Sequence, residues 1–347
     1  MTIFRQFGGR VSNELKERFA ASPNWKDGIF VNLEETSMDI SLARVPGLLK
    51  KQLFEKEGRE PKQPIAWEAF DAAAFAKAEN TQVIWYGHSA LLLKLAGKTI
   101  LIDPMLGPDA SPIAPFSTSR FSKDILSVID ALPPIDLLLL SHDHYDHLDL
   151  ASMEKLQGKV GQYFVALGCA RHLIHWGVEA SRVQEFDWWE GADFGDIRIT
   201  FTPSRHFSGR GITDRAKSLW GGWVLKTAQE NIYFSGDGGY GGHFKEVGER
   251  LGPFDFGFME CGQYYKLWHQ IHMYPEEAVQ AAIDAGVKRA MPVHWAGFAL
   301  SLHHWKDPIG RFVQAADEAG LALQTPRIGA LLDYRQSVTG AWWEVLD

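Results

Sequence analysis

Cysteine is nearly absent from this chain. Cys169 and Cys261 are the only two among 347 residues, too few and too far apart for a disulfide framework or a cysteine-based zinc finger. Long apolar runs are missing as well. The longest, around Ile135–Leu140, is broken by Asp136 and falls far short of the ~20 residues a membrane span needs. The opening stretch from Met1 to Phe19 has no apolar core ahead of a small-residue cleavage site, so it does not read as a signal peptide. With so few cysteines the expected address is the cytoplasm. Basic residues are in deficit: 35 Lys and Arg face 43 Asp and Glu, a formal charge of −8. That excludes broad contact with nucleic acid, which needs clustered cations.

What is present is the makeup of a folded protein, with 46% hydrophobic and 22% charged residues. Residues 1–80 are polar and punctuated, and they read as an N-terminal extension packed on a main domain over 81–347. Helices are expected at Val11–Ala21 and Trp67–Ala78. The stretch Ile40–Phe54 sets Arg44, Lys50 and Lys51 among leucines, which fits a docking helix or a peripheral membrane contact. Pro46 and Gly47 are expected to interrupt it. Oligomeric state is open, a homodimer included.

From residue 81 the pattern becomes short strands, at Val83–Tyr86, Ala90–Leu95 and Thr99–Asp103, with Gly97 at a turn. Leu137–Ser141 reads as a strand buried on both faces. Further strands are expected at Tyr163–Ala166, Arg182–Phe186, Ile197–Thr202, Trp223–Thr227, Ile232–Ser235, Phe254–Met259, Arg289–Val293 and Gly329–Asp333. Helices at Leu150–Gln157, Pro275 to before Gly286, and Asp307–Ala319 interleave with them. The alternation means a layered α/β architecture.

Histidine is the abundant oddity, with 13 in the chain. Ser141-His142-Asp143-His144-Tyr145-Asp146-His147-Leu148-Asp149 stands where a buried strand gives way to a helix. Positions two apart on an extended chain point the same way, so His142 and His144 can converge. Asp146 and His147 then fall at the helix start, where a carboxylate is favoured. Four N and O donors of the kind zinc takes are thus held within six positions. A second metal needs more donors from similar strand ends. His206 follows Ile197–Thr202, Asp237 follows Ile232–Ser235, and His294 follows Arg289–Val293.

His142, His144, Asp146 and His147 match the HxHxDH motif of the metallo-β-lactamase superfamily, and His206, Asp237 and His294 fit its later positions. Within it the chain most resembles the N-acylphosphatidylethanolamine-hydrolysing phospholipase D group and its bacterial relatives. The stretches that carry this are Trp85-Tyr86-Gly87-His88-Ser89, Leu101-Ile102-Asp103-Pro104, Leu132-Pro133-Pro134-Ile135-Asp136, Gly236-Asp237-Gly238-Gly239-Tyr240, His272-Met273-Tyr274-Pro275-Glu276-Glu277-Ala278 and His294-Trp295. They cover residues 81–335. Asp143 stands where Asn is common in the phospholipases, and residues 1–80 are only vaguely similar.

The resemblance implies an αββα sandwich with two divalent metal ions, Zn²⁺ first and Fe or Mn as alternatives, at one edge of two sheets. By analogy His142, His144 and His206 hold one metal, Asp146, His147 and His294 the other, and Asp237 bridges them. The implied activity is phosphodiester hydrolysis of phospholipase D type through a shared hydroxide. The substrate would be a lipid or other small-molecule phosphodiester. His272 is placed beside the cleft as a proton donor or substrate contact, and Asp103 as acceptor for a ligand histidine. Asp149 is expected to do the same or to cap the helix. His172 and His175 are expected on a solvated or half-buried helix face, and His88 is given no metal role.

Two other readings compete. Gly236–Gly241 satisfies GxGxxG, with Glu260 beyond it, and so matches a dinucleotide-binding fingerprint. Lactone and thiolester hydrolases of the same superfamily usually continue their motif as DHxGG, whereas Leu148-Asp149 follows His147 here.

Overall fold

The computed structural model describes residues 2–39, 44–111, 117–211, 213–338 and 340–346. Two seven-stranded sheets lie face to face with helices on their outer sides, the expected αββα arrangement. The first sheet runs in the order Leu331–Leu332, Gln82–Trp85, Leu91–Leu95, Lys98–Ile102, Ile135–Leu140, Val160–Ala166 and Val183–Phe186. The second has Ala322–Leu323, Arg289–Val293, Phe256–Glu260, Asn231–Phe234, Gly222–Lys226, Ile197–Thr202 and Gly191–Phe194.

Each sheet is half antiparallel meander and half parallel. Gln82–Trp85, Leu91–Leu95 and Lys98–Ile102 are hairpin neighbours, after which pairing with Ile135–Leu140 and onward is parallel. Ala96 and Gly97 both have positive φ between two of these strands, the backbone a tight hairpin turn requires. The second sheet repeats the scheme, turning parallel at Asn231–Phe234 beside Phe256–Glu260. Parallel strands need both faces covered, and the central ones are accordingly apolar over most of their length. Leu137–Leu140 and Phe256–Glu260 are buried at every position.

This topology sends several strands to one edge with their C-terminal ends together. The residues just beyond Trp85, Ile102, Leu140, Thr202, Phe234 and Val293 all gather there.

Most expected elements stand within a few residues of their places. Pro46 and Gly47 do not break their helix, because Pro46 lies in the first turn of Val45–Phe54, where a missing N–H costs nothing. Residues 40–43 of that stretch lie outside the described residues. The helix expected over Trp67–Ala78 is only Ala72–Lys77, since Asp71 caps it by accepting from Ala74 N. Upstream of the cap, Glu68 N is drawn into a bond with Ile328 O. Gly191–Phe194 is an additional strand that composition does not announce.

Residues 1–80 share the main core: Phe19, Phe30, Ile65 and Phe75 are buried in the same cluster as both sheets. Asn32 clasps the backbone of His206, accepting from its N–H at 3.0 Å and donating to its carbonyl at 2.8 Å. No helix among the described residues is long and apolar enough to cross a membrane.

Candidate metal centre

Both ends of the HxHxDH run are held by one carboxylate. Asp103, first residue after Lys98–Ile102, accepts Ser141 N at 2.8 Å and Ser141 Oγ at 2.5 Å. The same carboxylate takes His147 Nδ1 at 2.7 Å, the outer-shell role expected of it. Asp149 caps the helix Leu150–Leu156 through Ser152 N and also receives Gly107 N.

Three ring nitrogens converge on one point. His144 Nδ1 lies 2.9 Å from His142 Nε2 and 3.1 Å from His206 Nε2. The other nitrogens of the flanking rings fix their tautomers. His206 Nδ1 faces the Ile271 carbonyl at 2.9 Å, so it carries the hydrogen. Ser141 Oγ gives its proton to Asp103, so it accepts from His142 Nδ1 at 2.9 Å. Both Nε2 atoms therefore present bare lone pairs to His144, which has at most one proton to offer at Nδ1. Burial, and then neighbouring imidazoles, push His142 and His206 well below the usual histidine range. Burial lowers His144 to about 4. Three neutral, convergent lone pairs are a cation's donor set.

The second group contains carboxylates. Asp237 Oδ2 is 2.9 Å from His147 Nε2 and 3.0 Å from His294 Nε2. Asp146 Oδ2 is 3.3 Å from His294 Nε2 and 3.6 Å from His147 Nε2. Burial opposes charge on these rings, but Asp237 and Asp146 outweigh it: His147 is raised well above its ordinary value and His294 to about 10. Asp237 Oδ2 also lies 3.9 Å from both His142 Nε2 and His206 Nε2, so one oxygen reaches both groups. Its Oδ1 is buried without a partner. The arrangement thus brings His142, His144, Asp146, His147, His206, Asp237 and His294 together, and their donor chemistry fits two divalent ions.

Backbone geometry makes room for the convergence. Gly236 has φ +62°, and a Cβ there would sit 2.1 Å from the Gly221 carbonyl. A Cβ on Gly262 would be 2.0 Å from the His294 carbonyl. Only glycine allows these approaches. His88 and His294 themselves have positive φ, a strained setting that the packing around them holds in place.

Two sequence expectations change here. His88, given no metal role, is not idle: its Nε2 lies 2.9 Å from Asp146 Oδ2, so it can hold that carboxylate beside His147 and His294. Its signal was only a histidine after a strand, in Gly87-His88-Ser89. His172 is not solvated: it is fully buried, with Nε2 3.1 Å from Asp143 Oδ2. Asp143 also accepts Gly209 N and Ser218 Oγ and pairs with Arg171. It thereby ties the ligand run to the loop after His206. His175 is exposed, as expected.

His272 stands at the open side. Its side chain is 14% exposed and that of Asp146 13%, against 2% or less for Asp237, His142, His147, His206 and His294. The His272 ring centroid is 5.0 Å from that of His206 and 5.1 Å from that of His294, so it spans both donor groups. The glycine loop beside it has no free anion cradle. Gly238 N donates to Glu260 Oε2 at 2.8 Å, Gly239 N to the Arg205 carbonyl at 2.9 Å, and Gly242 N to Glu34 Oε1 at 2.7 Å. With these three amides engaged, the loop does not offer the row of free N–H groups a pyrophosphate takes, which counts against the dinucleotide reading.

Residues 98–295 match the model of the beta-lactamase superfamily domain. The chain belongs to that superfamily. It is 34% identical to an uncharacterized protein of Mycobacterium tuberculosis over 330 residues, 93% of this chain and 88% of that protein. N-acyl-phosphatidylethanolamine-hydrolyzing phospholipase D 1 of Caenorhabditis elegans is 30% identical over 246 residues, 67% of this chain and 69% of the worm protein. A metallo hydrolase from the archaeon Ignicoccus hospitalis shares the fold, with TM-score 0.56 and 20% identity over 73% of this chain and 97% of its own. This superfamily member is a metal-dependent hydrolase of metallo-β-lactamase fold.

Proposed function

We propose that the protein is a dinuclear phosphodiesterase of phospholipase D type. The observation that carries the reading is charge. Two divalent cations among His142, His144, His147, His206 and His294 would be ligated directly by only two carboxylates, Asp146 and Asp237, with Asp103 and Glu260 one layer further out behind His147 and His272. A centre of net positive charge favours an anionic phosphodiester over a neutral lactone or ester. The 30% identity to the worm phospholipase, over 246 residues, supports the same substrate class.

His142, His144 and His206 would hold one cation, Asp146, His147 and His294 the other, with Asp237 between them. Bound there, such ions lower the pKa of water and polarise a phosphoryl oxygen. Imidazole and carboxylate donors suit Zn²⁺, with Fe and Mn as alternatives. The chain's own part is positional. Asp103 keeps His147 Nδ1 protonated and its Nε2 aimed inward, Ile271 and Ser141 do the same for His206 and His142, and His272 faces the opening, where it can pass a proton to the leaving alkoxide. A cytoplasmic place of action, with peripheral contact to a lipid surface, belongs to this reading.

The test is a substrate panel on zinc-loaded protein: N-acylphosphatidylethanolamine, cyclic nucleotides, a nitrophenyl phosphodiester, and lactones. Phosphodiester turnover that chelation abolishes and zinc restores is expected. Lactone hydrolysis with no phosphodiester cleaved would overturn it.

A further inference from the structure

We infer that Glu260 is a positioning residue for His272, its carboxylate holding the ring by Nδ1 and turning Nε2 toward the reacting group; the inference rests on the hydrolytic reading above. Glu260 is the last residue of Phe256–Glu260 and is completely buried. No lysine or arginine pairs with it among the described residues. A carboxylate in such a place is costly unless hydrogen bonds satisfy it.

All its side-chain partners belong to the site. Oε1 receives His272 Nδ1 and lies 3.5 Å from His294 Nδ1. Oε2 accepts Gly238 N at 2.8 Å, in the loop that carries Asp237. The Glu260 backbone N–H donates to Ser235 Oγ at 3.0 Å, which anchors the strand end. Because both oxygens accept, the group is needed as a carboxylate. With Nδ1–H given to Oε1, the lone pair or acid proton of His272 resides at Nε2. This is the logic of a histidine oriented by a buried acid.

Glu260→Gln separates this role from plain packing. A glutamine keeps the volume but has one acceptor where the site needs two. Its NH₂ must face either Gly238 N–H or His272 Nδ1, and the second choice drives the ring to the Nε2–H tautomer. The experiment compares zinc-loaded wild type, E260Q, H272A and the double variant. Long-range ¹⁵N–¹H spectra read the His272 tautomer, its signals identified by their loss in H272A. Wild type should be Nδ1–H, with E260Q shifted toward Nε2–H. On an alkyl phosphodiester kcat should fall roughly 10²-fold in E260Q, within the range for a positioned acid or base, with KM changed much less. The loss should shrink for a nitrophenyl leaving group, and the double variant should be no slower than H272A.

An Nε2–H tautomer in wild type, or losses that multiply in the double variant, would overturn the inference. So would E260Q purifying with fewer metals than wild type, which would place the role of Glu260 at Gly238 and Asp237 instead. If wild type cleaves no phosphodiester, the functional reading fails by itself, and the tautomer measurement still decides for Glu260.

Discussion

His88 Nε2 lies 2.9 Å from Asp146 Oδ2, although the two residues come from different loops 58 positions apart. His88 sits on the loop after Gln82–Trp85, and its backbone is bonded to the other sheet through Trp295 O and His294 N. Burial, then His294, lowers its pKa to about 3. A neutral His88 therefore donates Nε2–H to Asp146 and fixes the direction of that carboxylate.

His88→Ala should fold yet bind the metal on the Asp146 side about 10–100-fold more weakly, the usual cost of removing an outer-shell partner. Metal analysis after graded dialysis against a chelator checks this. Retention equal to wild type would leave His88 as packing alone.

Asp237→Asn should keep its melting temperature within a few degrees. Turnover should drop by more than the ~10–100-fold typical of an outer-shell change, because Oδ2 reaches both donor groups. Asparagine removes the negative charge there. Wild-type kcat with both metals present would exclude the bridging role.

Metal uptake should release protons. In the metal-free site Asp237 and Asp146 keep His147 and His294 protonated, the latter with a pKa raised to about 10. A divalent ion on those nitrogens displaces both, an exchange of two protons for one doubly charged cation. Affinity should therefore fall as pH falls. Calorimetry of zinc binding at pH 7 in buffers of different ionisation enthalpy should report about two protons released. No proton release would mean that the metal displaces a proton from neither ring nitrogen.

His243, outside the clustered donor groups, sets an acid limit on stability. Burial, then Arg205, lowers its pKa to about 3, against ~6.5 in an unfolded chain. Between those values the unfolded state holds a proton that the folded state does not, so stability falls as pH drops below 6.5. The slope for this one group is about 1.4 kcal/mol per pH unit. In urea unfolding at pH 4.5–6.5, His243→Gln should show a shallower dependence by about one proton. An identical slope would show that His243 takes up a proton without unfolding.

Much of the centre was legible because its chemistry is local. His142, His144, Asp146 and His147 fall within six consecutive positions, and the extended backbone alone brings the first two side chains to one face. His206, Asp237 and His294 could be chosen because each follows a well-marked apolar strand. The strands themselves were readable because burial on both faces leaves continuous apolar runs such as Leu137–Leu140.

Other residues carry no such local mark. Glu260 reads in sequence only as a partner for the glycine fingerprint; the parallel pairing of Phe256–Glu260 with Arg289–Val293 sets it opposite Val293, beside His294, and its carboxylate meets His272. Asn32, in a polar extension, gains its role by clasping His206 across 174 positions. His172 differs from His175 only in facing Asp143.

The order and kind of the donors, and the α/β class, were thus determined by the sequence itself, since they follow from side-chain type and backbone period over a few residues. Only the tertiary structure decided which lone residues join them. That depends on the register of two sheets and on where their loop ends meet, and packing between distant segments sets both.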